Sequence, residues 1–105
     1  LNELRIYNIA DLGSPKLKSV TQMNSPKGLS IDGNLLFVCE QHKGVQVFDV
    51  TDKTQPVKIN YINLPNAYDV IATNKVLMVV SSDQIREYDY SDVLNIKTLG
   101  KIILE

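Results

Sequence analysis

Residues 45–56 read VQVFDVTDKTQP, and a near-copy of this stretch stands on either side: LRIYNIADLGSP at residues 4–15 and IREYDYSDVLNI at residues 85–96. Tyr7 and Phe48 align 41 residues apart, Phe48 and Tyr88 40 residues apart. A period of this length is the mark of a repeat architecture, in which each unit buries its apolar surface against a neighbour. Each copy joins β-branched and aromatic residues to a cluster of Asp, Asn, Ser, Gly or Pro, which reads as a strand running into a turn.

Outward from these anchors the other strands fall into the same cycle. Residues 17–23 (LKSVTQM) alternate, with Leu17, Ser19, Thr21 and Met23 expected on one face and Lys18, Val20 and Gln22 on the other. That mixed polarity suits a sheet edge. Asn24-Ser25-Pro26 is expected to end that strand, since Pro26 lacks an N–H, and residues 27–32 (KGLSID) to restart as a strand in which Gly28 lets another backbone come close. Asp32-Gly33-Asn34 is a tight-turn signal, so residues 27–40 form a hairpin. Its second strand, LLFVCE at 35–40, is apolar on both faces and needs cover from both sides. The cycle repeats with 45–50, 57–62, 68–73 and 76–81, where Asn74-Lys75 replaces Gly33-Asn34, and closes with 85–90 and 96–104. The turn Ser82-Asp83-Gln84 is one residue shorter than Gln41-His42-Lys43-Gly44, which accounts for the second step. No stretch sustains a 3.6-residue apolar period, so the fold class is all-β.

Four short strands per repeat, with tight turns between them, predict β-propeller blades of four antiparallel strands packed face to face. The 105 residues then form a single β-propeller segment. Residues 25–64 and 65–105 are blades and 1–24 the last two strands of another, about two and a half blades in an incomplete ring. Rings usually need about four to eight. The implied partners are further blades, from the same protein or from another copy, because an open array exposes apolar faces.

Several functions lose support from composition. With 11 basic and 12 acidic residues the net charge is −1, which gives no reason to expect a nucleic-acid partner. Apolar runs such as VLMVV at 76–80 fall far short of the ~18 residues that span a bilayer, so no membrane insertion is expected of this segment. Cys39 is the single cysteine and reads as a buried small hydrophobe. His42 is the single histidine, too few donors for zinc, and neither residue stands in the context of a nucleophile. Glycine-rich phosphate motifs are missing. Asp49 and Asp52, Asp89 and Asp92, and Asn8 with Asp11 resemble a metal loop only superficially, because calcium loops want oxygen ligands at alternate positions and a bend glycine. Their short side chains are expected instead to fold onto backbone N–H groups and fix the turns. Tyr7, Phe48 and Tyr88 form an aromatic column that reads as packing between blades. No catalytic residue, cofactor or metal is therefore expected.

The repeated unit resembles the LVIVD repeat, a propeller-type repeat of bacterial and archaeal surface proteins. VQVFDVTDKTQPV at 45–57, KGLSIDGNLLFVCEQHKG at 27–44 and AYDVIATNKVLMVV at 67–80 carry the resemblance, and IREYDYSDVLNIKTLGKI at 85–102 looks like a terminal repeat. The family's frequent Ser-Asp-Pro turn is not kept here, since Asp11, Asp52 and Asp92 are not followed directly by Pro. The resemblance implies a cell-envelope location, periplasmic or as an outer-membrane lipoprotein, and no catalytic residues. The expected function is that of a non-enzymatic binding or scaffold module contacting protein or glycan through loops at one propeller face. Those loops carry Asn24, Lys27, Gln41, His42, Lys43, Asn66, Tyr68, Asp69 and Asp83. The alternative is part of a propeller enzyme whose catalytic residues lie in other blades.

Overall fold

In the computed structural model of the chain the described residues are 3–8, 13–14, 16–23 and 25–104. Asp11, Asn24 and the side chain of Asn8 lie outside them, as do the outer limits of the expected units at Leu1 and Glu105. Ten strands and no helix occur among the described residues: β1 (Glu3–Asn8), β2 (Lys16–Gln22), β3 (Pro26–Asp32), β4 (Leu35–Glu40), β5 (Gly44–Asp49), β6 (Val57–Ile62), β7 (Ala67–Thr73), β8 (Val76–Ser81), β9 (Gln84–Asp89) and β10 (Lys97–Ile103). They form three antiparallel sheets, each in simple up-and-down order: a two-stranded β1-β2 sheet, a central sheet β3-β4-β5-β6 and a terminal sheet β7-β8-β9-β10. The sheets do not close into a ring.

The repeat extends to the hydrogen bonds of the turns. Gly33 (φ 58°) opens the β3–β4 turn, and Asn74 and Lys75 (φ 50° and 64°) form the β7–β8 turn, supplying the positive φ that two-residue hairpins require. The Val50 N–H donates to the Asn34 carbonyl at 2.8 Å, and in the next repeat the Tyr90 N–H donates to the Lys75 carbonyl at 2.9 Å. After β5 the Asp49 carboxylate accepts from the N–H and hydroxyl of Thr51, at 2.8 and 2.6 Å, and Asp52 does the same for Thr54. Asp89 accepts from Ser91 and Asp92 from the Leu94 N–H. These bonds stabilise the carboxylates and hold Asp49, Asp52 and Asp89 below the usual aspartate pKa. The acidic pairs are thus turn locks, as the spacing predicted.

Each outer strand carries a bulge at the same place. Lys18, Ile59 and Leu99 are the extra residues in the pairings of β2 with β1, β6 with β5 and β10 with β9. The first corrects the expected alternation of β2: past Lys18 the faces switch, so Leu17 sits opposite Tyr7 and shares the outward face with Val20 instead of joining Ser19 and Thr21. The first strands are bulged too, with Lys27 and Gly28 opposing Cys39 alone and Tyr68 skipped between Ala67 and Asp69. The break between β2 and β3 falls where it was expected, and Pro26 itself opens β3, one residue before the expected start at Lys27. At the first position of a strand a missing N–H is tolerated.

The inner strands β4 and β5 of the central sheet are buried on both faces. Leu36, Val38, Phe48 and Val50, with Met23, form one core layer on which Leu4 and Ile6 of β1 pack. Phe37, Cys39, Val45 and Val47 face the other way, onto Ala67, Val70, Leu77, Val79, Tyr88 and Tyr90 of the terminal sheet. Phe37 and Tyr90 meet with ring centroids 5.0 Å apart at 59°. The Tyr90 hydroxyl crosses the gap to donate to Asp32 Oδ2 at 2.7 Å, so the one polar atom of this ring is satisfied. Phe48 and Tyr88 both point toward the preceding sheet, and the aromatic column is packing in these two repeats. Tyr7, which has no preceding sheet among the described residues, is 46 % exposed. Close approach is set by Gly28: a Cβ there would lie 2.9 Å from the Asp69 Cα and the Tyr68 carbonyl oxygen, so only glycine lets β7 lie against β3. Gly44 (φ 106°) is equally constrained, because a Cβ would run into the Ile62 carbonyl and the Leu64 N–H.

Candidate functional site

The loops expected to form one face do meet across the central and terminal sheets. The Gln41 N–H donates to the Ser25 carbonyl at 3.2 Å, and the Gln41 carbonyl accepts from the Asn66 N–H at 2.6 Å. A single turn thereby ties the lead-in of β3 to the lead-in of β7. Ser25 (φ 51°) and Asn66 (φ 64°) occupy equivalent places in the repeat and both adopt the left-handed conformation. Asn tolerates that region readily and Ser less so, which makes Ser25 the more strained of the two. This role of Ser25 could not be read from residue type, because serine does not signal a left-handed conformation as glycine or asparagine does.

Around this backbone link the predicted side chains take distinct positions. His42 and Lys43 are exposed at the tip of the β4–β5 turn, which is closed by the Lys43 N–H donating to the Glu40 carbonyl at 2.9 Å. Lys27 and Tyr68 are equivalent in the repeat, and both stand exposed at the bulges of the first strands, where a bulge re-aims a side chain. Asp69 follows Tyr68, accepts from the Val70 N–H at 2.9 Å and lies against Gly28. Lys27, Gln41, His42, Lys43, Asn66, Tyr68 and Asp69 are thus carried by one junction between two sheets. Asp83 is engaged within its own sheet: its carboxylate accepts from the Ser81 hydroxyl at 3.1 Å and its carbonyl from the Leu104 N–H at 2.8 Å. Asn24, the remaining predicted member, lies outside the described residues.

An imidazole, a phenol, two ammonium groups, an amide and a carboxylate offer donors, acceptors and one aromatic surface, spread over exposed positions. The nearby thiol adds no nucleophile. Cys39 is fully buried, and burial with the neighbouring Asp69 charge pushes it up to about 12, so it stays protonated at neutral pH. Among the described residues no three His, Cys, Asp or Glu converge in a way that could hold a metal ion, and no helix is long and apolar enough to cross a membrane.

A concavity lies elsewhere, a groove of about 330 Å³ between β1 and β3, whose lining includes Leu4, Ile6, Leu29, Ile31, Leu36 and Val50 together with Arg5 and Lys53. Sequence reading missed it. Its walls come from repeats that look complete when each strand is read alone. Comparison of the chain with protein-family models, with curated proteins and with solved structures returned no match.

Proposed function

We propose that this chain is a segment of a β-propeller of the LVIVD-repeat kind that serves as a non-catalytic binding or scaffold module of a bacterial cell envelope. In this reading the central and terminal sheets are two complete blades, and their shared loop junction contacts a protein or a glycan. The observation that supports it most directly is the Ser25–Gln41–Asn66 backbone relay. It holds Lys27, His42, Tyr68 and Asp69 on a fixed platform instead of on free loops, the arrangement that lowers the entropic cost of binding. Tyr68, 49 % exposed, supplies the aromatic surface that interfaces favour.

The test is a panel of envelope glycans and envelope proteins, followed by His42→Ala/Tyr68→Ala. Loss of about tenfold or more in affinity for the ligand so found supports the face, since ring truncations at a binding centre cost about 1–2 kcal/mol or more. Unchanged affinity in the double variant removes this face from consideration. Asp49→Ala serves as a control, because its carboxylate is spent on Thr51 within the turn.

A further inference from the structure

We infer that the groove between β1 and β3 is a docking site for a β-hairpin of the repeat's own first-and-second-strand kind, which adds to the open edge of β1 and covers Leu29 and Ile31. The inference rests on the repeat reading above and names the partner for a surface which that reading leaves bare. Three independent features converge on it.

The first is hydrogen bonding. β5 pairs with both β4 and β6, and β9 with both β8 and β10, whereas their counterpart β1 pairs among the described residues only with β2. Along its other edge, over the groove, no described strand pairs with it. Such an edge recruits an extended chain. The second is apolar exposure. Leu29 and Ile31 are 59 % and 57 % exposed, yet Val70, which occupies the place of Leu29 one repeat later, is 2 % exposed. What covers Val70 is the central sheet, the hairpin that carries Gly28, Ser30, Phe37 and Cys39. The same interface continued back by one repeat defines the occupant: small residues on the first strand, apolar ones including an aromatic ring on the second. At the turn, the carboxylate that Asp32 lends to Tyr90 would fall one repeat earlier beside Lys53, whose ammonium rests on the Val50 carbonyl at 2.8 Å.

The third is the distribution of bulges. Of the strands at sheet edges among the described residues, β2, β3, β6, β7 and β10 each carry an extra residue that disrupts the ladder. β1 carries none of its own. Bulges are a common means of blunting an edge against adventitious pairing, so the one regular edge is the one fit to be paired.

The experiment supplies the hairpin. A synthetic peptide of residues 25–44 with Cys39→Ser is titrated into the full chain, and a second sample joins residues 25–44 directly to Leu4, the counterpart of Val45. Amide hydrogen exchange then reads the β1 positions that β2 leaves unpaired. The expected result is saturable binding with protection of those amides in both samples. Ile31→Glu should weaken peptide binding by about tenfold or more, because a carboxylate would be trapped against an apolar cover. Ile102→Glu, on the far face of the terminal sheet, should leave it unchanged. Ile31 is largely exposed in the chain alone, so the variant keeps its fold. Absence of protection in both samples overturns the inference, as does a loss of binding that follows Ile102 instead of Ile31. Concentration-dependent dimers of the chain alone that already protect β1 would assign the groove to a second copy and overturn it equally. Ligand binding to the His42/Tyr68 face, scored in the same samples, separates failure of this inference from failure of the proposed function.

Discussion

The central and terminal sheets follow one forty-residue pattern, but Phe37 of the central sheet is fully buried while Met78, 41 residues later, is 38 % exposed. Ile71 and Ile102 share the open face of the terminal sheet with Met78, and Glu87 stands there where the central sheet has the buried Val47. The difference shows that burial here is set by position in the stack. A residue of the same type at the same point in the repeat is core or surface according to whether another sheet lies against it.

The sharpest test of this difference is a matched pair of truncations. Phe37→Ala should destabilise by about 3–5 kcal/mol in urea unfolding, since it removes a ring packed against Tyr90, while Met78→Ala should cost less than ~1 kcal/mol. Equal losses would mean that the terminal sheet is covered in solution, and the comparison would break. Next in size is Gly28→Ala. The added methyl meets the β7 backbone and should cost about 1–3 kcal/mol, read as a lower unfolding midpoint, because two backbones rather than a flexible side chain have to separate.

Tyr90→Phe is milder, about 0.5–1.5 kcal/mol near neutral pH for a lost hydrogen bond to Asp32. Its pH dependence is more telling. Burial, with the bond to Asp32, pushes the Tyr90 phenol up to about 12, whereas an unfolded tyrosine titrates near ~10. The native state therefore keeps a proton that the unfolded state releases. Stability from this group is whole below pH ~10 and is lost as pH climbs toward about 12. Tyr90→Phe should flatten that window in denaturation curves taken from pH 9 to 12. The smallest effects belong to the turns. Asp49→Ala and Asp89→Ala should each lower the melting temperature slightly and by similar amounts, since the two turns are equivalent. The native pKa values of both are depressed, so their contribution is present above the unfolded value near ~4 and fades as pH falls below it. A persistent difference between the two at pH 7 would show that the repeats are less alike than their hydrogen bonds suggest.

Much of the architecture was legible because it is local. Asp32-Gly33-Asn34 and the acidic turn residues specify their own geometry through φ preferences and side-chain to backbone bonds, and the run at 35–40, apolar on both faces, announces a strand covered from two sides. Gly28 could be read as a point of close approach because only its missing Cβ distinguishes it. The bulges at Lys18, Ile59 and Leu99 could not, since nothing in those three side chains announces an extra residue. Nor could the bond from Tyr90 to Asp32, which spans 58 residues and depends on how two sheets meet. The loop face was anticipated as a set of turns, but its order comes from Ser25 and Asn66 in the left-handed region, a conformation written in their tertiary setting. The β1 groove was invisible for a related reason: a surface left bare by an unpaired edge has no residue signature of its own.

The single thiol of Cys39 has a practical consequence. It sits at the interface of the central and terminal sheets, protonated and out of reach of solvent. An alkylating reagent can touch it only when the two layers part, so its labelling rate is a clock for that opening. One residue thus turns the stacking of repeats into a measurable free energy, without a probe having to be introduced.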